Sequence, residues 1–332
     1  MKKILCVGGC VIDILVISEN IPIINHNNKK FLGIEYGSKT PGLKFIINEG
    51  GSATNLALNL KCLGLNSALL ATIGDDFMGN FIYNSIQASG LDYRGLVQLP
   101  NTSTGIAFIV KSSNHNDRGM ITIKGASDLL SKSLINKEFI NDYDWLAWCS
   151  LTSESALNTI NELIKIFKTR KNGLIIAAPS SSMIKKYPRK TFEMVMNSNI
   201  LASNLEEAKI LLDIDDLSWV ETAKSFLNLG LSFISITNGE NGAIIGNKNE
   251  LIKIIPPSVN VVDTTGVGDA FLSGLIYGLI NKKNLELSGK IGTIMAWSAL
   301  QDFGTRRGIP TINKVYELMD KIAPKIKIVK LK

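Results

Sequence analysis

Short apolar runs alternate with amphipathic segments along most of this chain. Each apolar run is bounded by small or polar residues, as buried β-strands are, and each amphipathic segment repeats its apolar positions at helical spacing. The predicted strands span residues 3–9, 67–74, 145–150, 173–179, 199–204 and 232–237. The predicted helices span residues 53–64, 78–90, 155–170, 204–212 and 220–230. Because alternating strands and helices form parallel sheets covered on both faces, we predict a three-layer α/β/α fold with a mostly parallel central sheet.

Two regions interrupt this alternation. Residues 14–48 and 104–124 contain β-like segments without intervening helices, and the sequence NHNDRG at 114–119 is typical of a hairpin tip. Such segments favour a small separate β layer. We place it as a lid over the carboxyl ends of the parallel strands, where open α/β sheets bind ligands. We therefore expect a single domain over residues 1–332, with a lid formed by about 14–48 and 104–124.

Composition and charge narrow the chemistry. The chain has 332 residues, of which 45% are hydrophobic, so it can bury a large core. Its net charge of +7 comes from scattered basic residues, which argues against a nucleic-acid partner and suits an anionic small substrate. The two histidines, His26 and His115, lie in Asn-rich stretches, which argues against His-dependent triads and His-ligated metals. Catalysis must then depend on carboxylates, backbone amides and hydroxyls.

The cysteines and the N-terminal segment indicate the compartment. Cys6, Cys10, Cys62 and Cys149 lie in apolar segments without paired CxxC spacing, so we expect reduced core thiols and neither a disulfide framework nor a zinc site. No apolar run reaches the roughly 18 residues that span a bilayer, and the N-terminal MKKILCVGGCVIDILVI lacks a small-residue cleavage site. We expect this segment to form the first core strand of a cytoplasmic protein with no membrane partner.

The stretch VVDTTGVGDAFLSG, residues 261–274, carries the clearest chemical signal. The strand is predicted to end at Asp263 and the helix to begin at Ala270, so the loop TTGVG lies at a helix N-terminus. Free amides and the helix dipole make such a terminus an anion site, and glycines let a ligand approach the backbone. A carboxylate beside an anion is unfavourable unless it has another role, and Asp269 suits a general base that deprotonates an attacking hydroxyl. Together these features predict phosphoryl transfer to an alcohol.

The same glycine-rich loop also fits a chance turn or a degenerate dinucleotide fingerprint. The fingerprint fits poorly, since it normally follows the first strand of its sheet, whereas this loop lies near the C-terminus. A second cluster, INEGGSATNLALNLKCLG, supports the kinase interpretation, because Gly50 and Gly51 precede Asn55 at the start of an amphipathic helix, an arrangement suited to a polyhydroxylated ligand. An ordinary N-cap, for which Ser52 or Thr54 would serve, accounts for the same residues.

These two segments, 50–64 and 263–274, resemble the two signature regions of the ribokinase-like (PfkB) carbohydrate kinase family. The second is close to the family's DTxGAGD pattern, with Val267 in place of the usual alanine, and the order of strands, lid and helices is similar over essentially the whole chain. The resemblance implies a ribokinase-like three-layer fold and an ATP-dependent kinase that phosphorylates a sugar or nucleoside hydroxyl with Mg²⁺. It also implies a β-lid that serves as a homodimer contact.

The resemblance further implies roles for individual residues. Those that match the family's catalytic set are Asp269, as the base, and the amides of Gly266, Val267 and Gly268, as the anion hole. Those that match substrate-binding positions are Asp13, Gly50, Gly51 and Asn55. Those that match nucleotide-binding positions are Asn204, Thr237, Gly239, Gly242 and Thr265. Glu207 matches the residue that organises Mg²⁺ through water, and Asp263 with Thr265 matches a K⁺ site found in some members.

Several of these residues also fit a purely structural role. Asp13 is a carboxylate near a strand end that would serve as a cap. Asn204 and Glu207 fit an N-cap and a capping box, and both roles can hold at once. The sequence ITNGENGAI fits an ordinary hairpin turn. In KGASD, Ser127 stands where the family often has asparagine, which leaves its role in substrate binding open.

Three functions remain open from the sequence, and we expect the first. In a sugar kinase, Asp13 and Asn55 would hold vicinal hydroxyls while Asp269 deprotonates the primary hydroxyl. A kinase for adenosine, inosine or guanosine would need aromatic stacking from the lid, for which the candidate rings are Phe31, Tyr36, Phe45 and Phe108. A non-catalytic ligand-binding protein of this fold would not be expected to retain Asp269, Glu207 and both glycine loops.

Overall fold

The computed structural model describes residues 2–27, 29–114 and 118–331. The strands in these ranges are β1 Lys3–Val7, β2 Val11–Ser18, β3 Ile23–His26, β4 Lys29–Leu32, β5 Lys44–Gly50, β6 Asn66–Gly74, β7 Asp92–Leu99, β8 Gly105–Ser112, β9 Arg118–Ile123, β10 Trp145–Cys149, β11 Ile175–Ala178, β12 Ile200–Asn204, β13 Phe233–Thr237, β14 Ala243–Gly246, β15 Leu251–Ile255 and β16 Lys327–Leu331. The helices are α1 Ser52–Cys62, α2 Phe77–Ala88, α3 Lys137–Asn141, α4 Glu154–Lys168, α5 Ser181–Lys186, α6 Pro188–Met196, α7 Leu205–Leu212, α8 Trp219–Leu229, α9 Val267–Ile280, α10 Leu285–Ala299 and α11 Ile312–Ile322.

A large sheet forms the centre of the molecule, with strand order β16-β15-β14-β13-β12-β11-β10-β1-β6-β7. The strands from β7 through β13 in this order run parallel to one another. Strands β14, β15 and β16 extend the sheet in antiparallel fashion. The mostly parallel sheet predicted from the sequence is confirmed, and the antiparallel edge is an addition to it.

Strand β1 shows how the sheet separates two cores. Ile4 and Cys6 point into a core shared with α1, α9 and α10, whereas Leu5 and Val7 point into a core shared with α4, α7 and α8. All four side chains are fully buried. Since helices cover both faces of the sheet, the predicted three-layer arrangement is confirmed.

The strands and helices predicted in the alternating part of the chain are present, with bounds that agree to within two residues at each end. The strand predicted to end at Asp263 is wrong, since the segment between β15 and α9 pairs with no strand of the described chain. The helix predicted from Ala270 begins three residues earlier, at Val267. Cys6, Cys10 and Cys149 are buried, as expected of core thiols, and Cys62 is partly buried. Within the described residues, none of the helices combines the length and the apolar character needed to cross a membrane.

A small separate sheet has the strand order β5-β2-β8-β9, and we refer to these four strands as the small sheet. Strand β2 pairs antiparallel with β5 and parallel with β8, and β8 pairs antiparallel with β9. The expected β layer is therefore present, and β3 and β4 form a separate two-stranded hairpin. Residues 115–117 of the predicted hairpin tip, including His115, lie outside the described residues.

One face of the small sheet packs on the loop between α10 and α11. An apolar cluster joins the small sheet to Phe303 of this loop; its other members are Leu15, Ile17, Ile46, Ala107 and Ile109. Thr305 Oγ1 donates to the Glu49 carbonyl oxygen over 3.3 Å, and Arg306 pairs with the Glu49 carboxylate at 3.5 Å. These contacts fix the small sheet against the body of the protein.

Candidate active site

The first turns of α1 and α9 meet beside strand β2 of the small sheet. Asp269, in the first turn of α9, accepts a hydrogen bond from Asn55 Nδ2 of α1 over 2.9 Å. Desolvation, together with the nearby charge of Glu207, raises the pKa of Asp269 to about 6, although hydrogen bonds from Asn55 and Ser52 act in the opposite direction. A carboxyl with a pKa near 6 is ionised at neutral pH yet basic enough to accept a proton, which is what a general base requires.

Helix α9 presents its first amides to solvent. It begins at Val267 with Gly266 as the N-cap, and its first helical hydrogen bond runs from Ala270 N to Gly266 O over 2.9 Å. The preceding amides of the turn therefore have no acceptor within the helix, and no side chain caps them. Gly268 is exposed, and a Cβ there would meet nothing within 4 Å. The turn predicted as an anion hole therefore has open space around Gly268 and lies in the same helical turn as Asp269.

Position 266 requires glycine, because its backbone is left-handed and its neighbours lie close to it. Its φ of 73° is left-handed, and a Cβ built there would lie 3.0 Å from Thr305 Cγ2 and 3.6 Å from Asn55 Nδ2. A larger residue at this position would be strained and would push against Thr305, whereas its contact with Asn55 would be an ordinary van der Waals contact. The glycine therefore lets the N-terminus of α9 approach α1 closely.

Asp13 lies on β2 and faces the same region. Burial, together with the charges of Asp269, Asp263 and Glu49, raises the pKa of Asp13 to about 7, whereas the charge of Arg118 acts in the opposite direction. A Cβ at Gly50 would overlap the Asp13 carboxyl group, so the first glycine of the GG pair is needed for this carboxyl to occupy its position. Asp13 thus presents a hydrogen-bonding carboxyl group close enough to Asp269 to be affected by its charge.

The second glycine of the pair joins α1 to the turn after β1. Gly51 has a φ of 94°, and a Cβ there would overlap the Gly9 carbonyl oxygen. Thr54 Oγ1 donates to that same oxygen over 3.2 Å. On the other side of the turn, the buried Ser127 hydroxyl accepts from Cys10 N over 3.3 Å. Ser127 therefore supports the turn that leads to Asp13.

Asp263 connects two loops. Its Oδ1 accepts from Thr265 N (3.1 Å) and Thr265 Oγ1 (2.8 Å), and its Oδ2 accepts from Gly304 N (2.9 Å). The side chain is almost fully buried, so its charge is stabilised by these three bonds. Asp263 and Thr265 thereby hold the loop before α9 against the loop after α10. The K⁺ interpretation of this pair stays a prediction.

The predicted nucleotide and magnesium residues lie at the ends of β12 and β13. Asn204 and Glu207 form the predicted capping box at the start of α7. Glu207 Oε1 also accepts from Ser181 N (3.0 Å) and Ser181 Oγ (3.2 Å), and desolvation raises the pKa of Glu207. Since both carboxylate oxygens accept hydrogen bonds, contact with Mg²⁺ through water fits Glu207 better than direct ligation. The described residues contain no cluster of three or more acidic, histidine or cysteine side chains that could hold a metal without other ligands.

Thr237, Gly239 and Gly242 lie on the β13–β14 hairpin, so the predicted hairpin turn is confirmed. Thr237 is paired in register with Asn204, which places both at the carboxyl end of the parallel strands. Gly242 has a φ of 96°, and a Cβ there would overlap the Ile254 carbonyl oxygen. The structure therefore brings these residues to one edge of the sheet, and their contact with a nucleotide stays a prediction.

Contacts between the small sheet and the loop before α9 were not predicted from the sequence. Lys111 Nζ donates to the Val262 carbonyl oxygen, and Arg118 Nη1 donates to Thr264 Oγ1. Neither cation belongs to a recognisable motif, and only the folded chain shows that they touch the loop. Their position ties the small sheet to the turn that carries the amides of α9.

This fold and this arrangement of groups define a class, the phosphotransferases that act on an alcohol group. The chain belongs to the pfkB family of carbohydrate kinases, since that family's model matches residues 1–312. A curated relative, the ribokinase of Bacillus subtilis (strain 168), is 27% identical over 326 residues, which cover 96% of this chain and 100% of the relative. The protein is therefore a sugar or nucleoside kinase of the ribokinase family.

Two solved structures show the same fold. One is an E. coli protein assigned as a Ribokinase II, in complex with ATP and Mg²⁺, with a TM-score of 0.82 at 19% identity, covering 97% of this chain and 100% of that one. The other is the nucleoside kinase of Burkholderia thailandensis in complex with inosine, with a TM-score of 0.76 at 20% identity, covering 96% of this chain and 98% of that one. At these identities the likeness concerns the fold alone.

Proposed function

We propose that this protein transfers the γ-phosphate of ATP to a hydroxyl of a sugar, as a kinase of the ribokinase or fructokinase type. The observation that carries the proposal is the first turn of α9, where Asp269 and the open amides around Gly268 lie side by side. A base and an anion hole on one turn suit the transfer of a phosphoryl group to an alcohol.

In the proposed mechanism, Asp13 and Asn55 hold sugar hydroxyls and Asp269 removes the proton of the attacking hydroxyl. The amides of Gly266, Val267 and Gly268 stabilise the charge that develops on the transferred group. Because these amides are already fixed by the helix, they need no rearrangement during the reaction.

ATP and Mg²⁺ are the proposed cofactors, as they are the ligands of the E. coli neighbour. Asn204 and Thr237 would contact the nucleotide, and Glu207 would hold Mg²⁺ through water. The metal supplies neutralisation of the triphosphate charge when bound. A cytoplasmic location accords with ATP as the co-substrate.

The register of the small sheet favours a sugar over a nucleoside. Asp13 is paired with Asn48 and Ala107, whereas Phe45 is paired with Val16 and Phe108 with Ile14. Since successive side chains alternate between faces, Phe45 and Phe108 point away from Asp13 and are unable to stack on a base bound beside it. Of the other candidate rings, Tyr36 is fully exposed and Phe31 is about half exposed.

A panel of acceptors tests this proposal. ADP release would be measured by a coupled assay with ATP and Mg²⁺ over pentoses, hexoses, their deoxy forms and nucleosides. We expect at least one sugar to have a kcat/KM at least about tenfold above that of adenosine, inosine and guanosine. Turnover confined to nucleosides would replace the sugar by a nucleoside, and an absence of turnover with every acceptor would count against the mechanism.

We also propose that the protein forms a homodimer through the outer face of the small sheet, the face opposite Asp13. This face carries Phe45, Phe108, Ile121 and Ile123, and the exposed fraction reaches 61% for Phe45 and 67% for Ile121. Contiguous apolar surface of this kind usually marks an interaction site. A second copy of this chain is the proposed occupant, because a two-fold interface uses the same patch on both subunits and can therefore cover this apolar face on each of them.

A charge on this face is expected to separate the dimer. Ile121→Glu would place a carboxylate in the apolar contact, so the variant should sediment as a monomer at concentrations where the unmodified protein is a dimer. Ile214→Glu, at an exposed apolar residue outside the small sheet, is the matched control and should leave the dimer intact. A monomeric unmodified protein, or equal sedimentation of both variants, would contradict the proposal.

A further inference from the structure

Helix α1 buries two amide side chains one turn apart. Asn55 is 4% exposed and Asn59 is 1% exposed. Asn55 Nδ2 is bonded to Asp269, but Asn55 Oδ1 and both polar atoms of Asn59 have no hydrogen-bond partner in the described part of the chain. Three unsatisfied polar atoms on two neighbouring buried side chains are unusual, because native proteins pair nearly all such groups.

One buried water would satisfy these three atoms. Side chains four residues apart on a helix are neighbours on the same face, so the amides of Asn55 and Asn59 lie one turn apart. Buried waters typically make about three hydrogen bonds to polar groups that otherwise lack partners. Asn55 Oδ1 and the two polar atoms of Asn59 together supply two acceptors and one donor, the set that such a water needs.

The orientation of the Asn55 amide matters because its nitrogen donates hydrogen bonds, whereas its oxygen accepts them. With Nδ2 toward Asp269, the amide donates to the carboxylate. With the amide reversed, Oδ1 would face the carboxylate oxygen, and two acceptors would repel each other. A group that donates a hydrogen bond to Oδ1 on its far side would hold the amide in the donating orientation.

We propose that Asn59 is a positioning residue for the phosphoryl transfer. Through one buried water it holds the Asn55 amide so that Nδ2 faces the Asp269 carboxylate. Asn59 itself touches neither substrate nor nucleotide. The inference depends on the proposed function, since it assigns to Asn59 an effect on the base of that reaction.

The expected signature is a change in pH dependence. The hydrogen bond from Asn55 favours the ionised form of Asp269, so loosening it raises the pKa of that carboxyl. The other titratable groups that interact with Asp269 are Asp13 of β2, Glu207 of α7, and the thiols of Cys6 in β1 and Cys149 in β10. None of these groups is altered by a change at Asn59, so the shift would report the Asn55 hydrogen bond.

The test compares Asn59→Leu, which removes the polar atoms at similar size, with Asn59→Ser, which keeps a hydroxyl and leaves room for another water. In the acceptor assay, Asn59→Leu is expected to move the acid limb of the kcat/KM profile upward by about one pH unit. A shift of this size corresponds to the loss of one hydrogen bond to a charged group. Asn59→Ser is expected to restore the limb toward its original position. Thr159→Val, which removes a buried hydroxyl from α4 across the central sheet, is the control and should leave the profile unchanged.

A crystal structure of the unmodified protein at high resolution gives a second measurement that does not depend on the variants folding. It should contain a water within hydrogen-bonding distance of Asn55 Oδ1 and Asn59. Absence of that water, or an unchanged acid limb in active Asn59→Leu, would overturn the inference. Asp269→Asn, assayed alongside, separates the two proposals. If the residual activity of Asp269→Asn still shows the acid limb, the proposed base is wrong. If Asp269→Asn loses the limb but Asn59→Leu leaves it at its original pH, only the role of Asn59 fails.

Discussion

Replacing Asp269 by asparagine is expected to lower kcat at least about 100-fold, the low end of what loss of a general base costs. The substitution keeps the size of the side chain and an oxygen that can accept from Asn55 Nδ2, so α1 and α9 should stay packed as they are. ADP release with the best acceptor of the panel gives the rate, and the melting temperature shows whether the fold is kept. A folded variant with unchanged kcat would exclude Asp269 as the base.

The pH profile of the unmodified enzyme supplies an independent check on the same residue. Since the pKa of Asp269 is raised to about 6, the base is ionised above that pH and protonated below it, so activity should fall as the pH drops through 6. The charge of Asp269 also raises the pKa of Asp13, so Asp13 releases its proton at a higher pH while Asp269 is ionised. Asp269→Asn should remove the limb that belongs to the base, and a limb of unchanged shape in that variant would point to another group.

The glycine turn at the start of α9 was predictable because it is local. Two glycines and a helix start follow one another within a few residues of the sequence, and the structure has Gly266 as the left-handed N-cap of α9. The strand expected directly before them is absent from the described residues. The capping box of Asn204 and Glu207 was predictable for the same reason. Such features depend mainly on residues a few positions apart in the sequence.

The pairing of side chains across the site was not predictable in this way. Asn55 and Asp269 are 214 positions apart and meet only because α1 packs against α9. Arg118 and Thr264 are 146 positions apart, and no pattern in either segment indicates their contact. Candidate residues can therefore be read from motifs, whereas the bond that joins Asn55 to the proposed base depends on long-range packing.

The antiparallel edge of the central sheet and the faces of the small sheet were likewise not predictable from the sequence. Strands β14 and β15 have only four and five residues, and such short apolar runs do not distinguish a strand from a buried loop. The faces of Phe45 and Phe108 depend on the pairing of β2 with β5 and β8, which alternation within one strand does not define. That pairing is what turns both rings away from Asp13.

Replacing Asp13 by asparagine is expected to weaken catalysis and stabilise the fold at once. Loss of a charged hydrogen-bond partner for the acceptor should lower kcat/KM roughly 10- to 100-fold, mainly through KM. In the folded protein, burial and the charges of Asp269, Asp263 and Glu49 raise the pKa of Asp13 from 3.8 to about 7. The ionised carboxyl is therefore unfavourable in the folded state, and asparagine removes that cost.

The sign of the stability change follows from this shift. The pKa of Asp13 is higher in the folded chain than in the unfolded chain. Below pH 4 the carboxyl is protonated in both states, and the folded protein has its full stability. As the pH rises from 4 to 7, the unfolded chain releases this proton more readily than the folded chain does, so the free energy of unfolding falls. The advantage of Asp13→Asn should therefore grow from pH 4 to 7 and reach on the order of 4 kcal/mol at pH 8, since the pKa is raised by about three units at about 1.4 kcal/mol each. Urea unfolding at pH 5 and pH 8 measures it, with Asp216→Asn on an exposed loop as the control. If the difference in unfolding free energy between Asp13→Asn and the unmodified protein is the same at both pH values, Asp13 is solvated like a surface carboxyl. In the acceptor assay, an unchanged KM for the acceptor would show that Asp13 does not bind the substrate.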